Sequence, residues 1–187
     1  MFSGIESINE KARNIMGKAI EDYNSLKNAD INTKKLSLNP GEKMGFATNW
    51  GFYYPENAKK CDDVLAGYRS ELCSLLEEVK TEIKTKMTEP PTTEQANLLT
   101  ALSVGKPTRE ELFNAIEQNI GNYATFSALN RLAAENEMYF DVKSPFEDLK
   151  NLEYRISGNI NRLYTSNAEH GLSPASIAFE NFMNGEM

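Results

Sequence analysis

Apolar residues recur at helical intervals over most of this chain. Ile5, Ile8, Ala12, Ile15, Ala19, Tyr23 and Leu26 follow one another three or four positions apart. That spacing draws one apolar stripe on a helix of about 24 residues. Its other face carries Glu6, Glu10, Lys11, Arg13, Lys18 and Asp22. Gly17 inside it costs about 1 kcal/mol relative to Ala, which packing can offset or a close helix contact can explain. Cys61, Leu65, Tyr68, Leu72, Leu75, Val79, Ile83 and Met87 draw a second stripe, widened by Val64 and Leu76. It predicts a helix over 57–86. Stripes of this length suit antiparallel helix pairing or a short coiled coil.

Pro90-Pro91 stops the second long helix and opens a region of shorter ones. Thr92-Thr93-Glu94-Gln95, Thr108-Arg109-Glu110-Glu111 and Ser144-Pro145-Phe146-Glu147 each match a capping box, and so mark helix starts. Gly105 marks a helix end. Leu112, Phe113 and Ile116 line one helix, and Tyr123, Phe126, Leu129, Leu132 and Ala133 the next. Leu149, Leu152, Ile156, Ile160 and Leu163 give a longer stripe, and Ser173-Pro174 opens a short helix with Ile177, Phe179 and Phe182. No stretch alternates convincingly with the period of a strand. The pattern predicts an all-α fold: a helical bundle of six or seven helices with two long amphipathic helices first. Residues 1–89 would form a long-helix pair and 92–187 a compact bundle of short helices, or both would make one continuous domain.

Between the long helices, residues 29–56 break the pattern. Asn39-Pro40-Gly41 reads as a turn. Then Phe46, Trp50, Phe52, Tyr53 and Tyr54 crowd into ten residues, with the only Trp of the chain among them. Loops of this length are functional or packed on themselves. Three readings follow: a loop that plugs the gap between helices, a partner-binding surface of Trp and Tyr, or a stacking platform for single-stranded nucleic acid. Only Lys43 is basic nearby, so the last ranks lowest. Strand-like alternation would send Trp50, Phe52 and Tyr54 to one side and Tyr53 to the other. Trp50 is then the expected anchor and Tyr53 the expected contact.

The 187 residues carry 20 Lys+Arg against 27 Asp+Glu, a net charge of −7. An acidic excess rules out a basic nucleic-acid coat protein. The first twenty residues show no secretory pattern, and no run approaches the roughly 18 apolar residues of a membrane span. The expected setting is the cytoplasm. Cys61 and Cys73 sit twelve apart on one helix, about 18 Å by helical rise, and are expected as reduced, half-buried thiols.

Candidate chemistry is sparse. His170, the only histidine, has no serine or cysteine motif around it and reads as a helix-end residue. No metal-ligand spacing occurs. Gly105-Lys106-Pro107-Thr108 lacks the earlier glycine and the Lys-Ser/Thr adjacency of a phosphate loop. No catalytic, metal or cofactor residues are therefore assigned, and the expectation is a non-enzyme without cofactors. The segment 120–132 has the outline of a helix-turn-helix, in which Asn122, Thr125 and Arg131 would meet DNA. Residues 92–140 hold only 3 basic groups against 6 acidic ones, which opposes phosphate contact.

Asn122-Tyr123-Ala124-Thr125-Phe126-Ser127-Ala128-Leu129-Asn130-Arg131-Leu132-Ala133-Ala134-Glu135-Asn136 also resembles a segment of small helical proteins encoded among the head and tail genes of tailed bacteriophages and prophages. The outline agrees: a long charged N-terminal helix, a proline break, then short capped helices. The resemblance implies a non-enzymatic role in virion structure or assembly, in the host cytoplasm or the particle, through contacts with itself or another protein. The alternatives are a helix-turn-helix regulator and an inhibitor that binds a host protein through the aromatic loop.

Overall fold

The computed structural model describes residues 5–46 and 51–163. Over these residues the fold is all-helical, with seven helices: α1 (Ile5–Leu36), α2 (Pro40–Met44), α3 (Pro55–Thr88), α4 (Thr93–Val104), α5 (Arg109–Gln118), α6 (Tyr123–Glu135) and α7 (Pro145–Arg162). Trp50, His170 and the helix expected after Ser173 lie outside the described residues. The two long helices run to 32 and 34 residues, past the ends of their apolar stripes. The five-residue α2 stands where a simple turn was expected. Pro40 fills its first position, where a missing N–H is harmless, and the Glu42 carboxylate accepts from the Asn39 N–H at 2.8 Å.

The chain forms two compact units, and the division falls inside α3 and α7 rather than at Pro90-Pro91. One unit comprises Glu6–Glu77 with 154–163, and the other chiefly Glu78–Glu153. The reason is that α7 brings Ile156, Ile160 and Leu163 back into the unit of the long helices, where they are buried.

In that unit α1 buries Ile8, Ala12, Met16, Ala19, Ile20 and Tyr23, and α3 buries Cys61, Leu65, Leu72 and Leu75. Fully burying one of the larger aliphatic side chains is worth about 1.5–3 kcal/mol. Two polar pairs fix the register. Asn57 Nδ2 donates to Asp30 at 2.9 Å, and the Tyr68 hydroxyl donates to Asp22 at 2.6 Å. The pairing order, later residues of α3 with earlier ones of α1, makes these helices antiparallel. The bond to Asp22, followed by burial and the nearby carboxylates, pushes the Tyr68 phenol up to about 12. Arg69 donates to the Leu163 carbonyl at 2.6 Å, which satisfies an acceptor at the end of α7.

In the other unit α6 packs on α4 and α5. Its core is Leu112, Ala115, Ile116, Leu129 and Ala133, with Leu98, Leu99, Leu102 and Met138 against it. The caps read from sequence form at two starts: Thr92 accepts from Gln95 N and Thr108 from Glu111 N, both at 3.2 Å. The Thr108 backbone N–H and then its hydroxyl, both donating to Glu111, hold that carboxyl below the usual range. At α7 the Ser144 hydroxyl accepts from Phe146 N at 3.2 Å.

The end of α6 closes as a Schellman motif. Met138 N donates to the Ala133 carbonyl at 2.9 Å and Glu137 N to that of Ala134 at 3.0 Å. Glu137 has φ 59, the left-handed conformation that glycine adopts without penalty. Gly17 presents the opposite case. A Cβ there would meet nothing within 4 Å, so no close helix approach requires glycine. Glu137→Gly and Gly17→Ala should each raise stability by about 0.5–1 kcal/mol, read as an upward shift of the urea midpoint at unchanged slope.

Candidate interaction surface

Residues 51–54 of the aromatic segment take their shape from one face of α1. Tyr23, Lys27 and Asp30 stand four and seven positions along, and so share a side of the helix. Asp30 is fully buried. Its carboxylate accepts from Tyr53 N at 2.7 Å, Tyr54 N at 3.2 Å and Asn57 Nδ2 at 2.9 Å. Those two backbone donors immediately precede Pro55, the first residue of α3. The Tyr54 carbonyl accepts from Asn57 N and Ala58 N, both at 3.1 Å, so Tyr54 is where the chain turns into the helix. A helix start presents unsatisfied N–H groups and the positive end of its dipole. Asp30, supplied from another helix, sets a negative charge beside that positive end and accepts from the two amides leading into it.

Lys27 secures the preceding residues. Its ammonium donates to the Gly51 carbonyl and lies 5.0 Å from the Phe52 ring centre and 5.4 Å from that of Tyr53. Burial pulls its pKa below the ordinary lysine value, and the negative charge of Asp30 acts the other way. Phe52 meets Tyr23 edge-on, with centroids 6.0 Å apart. Phe46 packs on Tyr53 at 5.5 Å, and the Lys35 ammonium lies 5.6 Å from the Phe46 ring centre. Such cation–π contacts are worth about 0.5–1 kcal/mol at exposed sites and more when desolvated.

Phe46, Phe52, Tyr53 and Tyr54 are all half-buried, and the structure brings Phe46, Phe52 and Tyr53 together around α1. The expected alternation of faces does not hold for Phe52 and Tyr53. Residues 51–54 bend rather than extend, and Lys27 touches both rings. Lys27 and Asp30 are the residues that sequence reasoning missed. A signal existed: continuing the apolar stripe four positions beyond Leu26 lands on Asp30, a carboxylate on the inward face.

Asn122, Thr125 and Arg131, the residues assigned to a DNA contact, occupy different surroundings. Asn122 is the N-cap of α6. Its Oδ1 accepts from the backbone N and the hydroxyl of Thr125, both at 2.9 Å. Its amide donates to the carbonyl of Pro90 at 3.2 Å. Thr125 is fully buried. Both side chains are thus engaged in holding the start of α6. Arg131 is exposed, with Glu135 one turn on at 3.9 Å.

The cysteines are both free, yet neither is half-buried as expected: Cys61 is fully buried and Cys73 exposed. Burial, then the charge of Asp62, pushes the Cys61 thiol up to about 12. Among the described residues no three His, Cys, Asp or Glu side chains converge to hold a metal ion, and no helix is long and apolar enough to cross a membrane.

Asp30→Ala would leave three donors without their acceptor. It should lower stability by about 2–4 kcal/mol in urea titration, against about 1 kcal/mol for Asn57→Ala, which deletes one donor. An aromatic disulfide reagent at neutral pH should label one thiol per folded chain, Cys73, and two after unfolding.

No family model matches this chain, and no curated protein and no solved structure is significantly similar to it.

Proposed function

We propose that this chain works by contacting protein rather than by catalysis, through the aromatic segment of Phe46, Trp50, Phe52, Tyr53 and Tyr54. The observation that carries this reading is the fixing of residues 51–54 of that segment from α1. Asp30 holds its backbone and Lys27 lies against two of its rings, while the rings stay partly open to solvent. A surface ordered before its partner arrives loses less side-chain and loop freedom on binding. Tyr, Trp and Phe give most contact energy per residue at protein interfaces.

The specific form of the proposal is an assembly component, with a second copy or a companion protein as partner. The likeness of residues 122–136 to small head and tail proteins of tailed bacteriophages supports a virion or assembly role, exercised in a host cytoplasm or in the particle. The capping bonds of Asn122 and Thr125 favour protein contact over reading of a DNA groove by the same helix.

Sedimentation velocity over a concentration series tests the self-association form. The wild-type chain should associate. Tyr53→Ala and Tyr54→Ala should each weaken association about tenfold, with the far-UV spectrum and melting temperature retained. A wild-type chain that stays monomeric throughout overturns self-association. Duplex DNA that binds at low salt, and is released by Arg131→Ala, would replace the proposal with the regulator reading.

A further inference from the structure

A second surface, on residues separate from the aromatic segment, lies where the chain leaves the Schellman turn of α6. Phe140 and Asp141 sit between two depressions and line both. The first has a volume of about 490 Å³ and is completed by Arg109, Glu110, Phe113 and Tyr139. The second, about 380 Å³, is completed by more polar groups, among them Ser127, Asn130, Lys143 and Glu147.

The first depression is built round three packed groups. Phe113 and Phe140 have ring centres 5.7 Å apart. The Arg109 guanidinium lies 4.8 Å from the Phe140 ring centre and donates to the Tyr139 carbonyl at 3.1 Å. Arg109 is thereby held against the ring as part of the wall. Tyr139 is 75% exposed and Phe113 37%, a large aromatic exposure for one small face. Core packing does not require this of Tyr139, because Met138 already closes the Schellman turn against the core.

Charge selects the occupant. Glu110, Asp141 and Glu147 line the two depressions together with Arg109 and Lys143, three carboxylates against two cations. Asp141 is common to both depressions, so each is lined by two carboxylates and one cation. An extended peptide places side chains i and i+2 on one side, about 7 Å apart. We infer that this face docks an extended protein segment, with an aromatic or large aliphatic side chain in the Phe113–Phe140 depression and a basic side chain two positions on, beside Asp141. Arg109 forms the wall for the apolar side chain, and Asp141 sets the preference for the basic one.

The test uses two acetylated, amidated tripeptides, Phe-Gly-Lys and Phe-Gly-Glu, titrated into the full chain and followed by amide chemical shifts. Both should shift Arg109, Phe113 and Phe140, with the lysine peptide about fivefold tighter at low ionic strength and the gap closing as salt rises. Tyr139→Ala should weaken both peptides. Asp141→Asn should abolish the preference and leave the apolar contact in place. Both residues are exposed, so the fold should persist, and melting curves check that it does. Absence of shifts at these amides, or equal affinity for the two peptides, overturns the inference. Tighter binding of the glutamate peptide overturns it as well, and assigns the face to acidic segments through Arg109 and Lys143. None of these outcomes bears on the self-association test, which reads different residues.

Discussion

A carboxylate removed from water demands donors, and Asp30 finds three of them in the turn that starts α3. That one group does three things. It binds the two amides that lead into a 34-residue helix, ties that helix to α1 through Asn57, and sets the path of the residues just before it. The nearby Lys27 balances part of its charge, holds the Gly51 carbonyl and places an ammonium against Phe52 and Tyr53. Removing one side of such a buried polar set costs more than the set contributes when whole, because the remaining groups are left without partners. The unit of the long helices therefore has an apolar interior that many sequences could supply, and a buried polar joint at Asp30 that few could.

The unit from Glu78 to Glu153 is organised on another principle. Its helices are short, and short helices gain little from propagation. Beside their shared core, they are held by what closes their ends: threonine boxes at α4 and α5, Asn122 at α6, and the Schellman turn after it. Asn122 also donates to the Pro90 carbonyl, in a segment whose own prolines can donate nothing. Gln95 joins the same scheme, its amide donating to Asn119 Oδ1 at 3.0 Å.

How much of this was legible depends on whether the determining contacts were local. Helix type followed from spacing, because the 3.6-residue period is written directly in Ile8, Ala12, Ala19 and Tyr23, and in Cys61, Leu65, Leu72 and Val79. The threonine starts followed from four-residue patterns whose partners are three positions apart. The unit boundary did not follow. Pro90-Pro91 is a strong local stop, but what decides compactness is the return of Ile156, Ile160 and Leu163 to distant helices. The aromatic segment stands out by composition alone, but the bend of residues 51–54 does not follow from it. Its bend is dictated by Lys27 and Asp30, more than twenty residues earlier. Asn122 and Thr125 were noticed for their polarity at a helix start, and the same polarity serves the helix itself.

The grip of Asp30 on the aromatic segment is a grip on main chain. The Tyr53 and Tyr54 amides that it accepts from would be present whatever side chains stood there, save proline. Shape and chemical identity are thereby uncoupled at these positions. The side chains at 53 and 54 can drift or be rewritten while the backbone beneath them keeps its course. A scaffold of that kind is evolvable: it can change what it recognises without relearning how to fold. The same property makes it a natural place to install a new binding sequence by design.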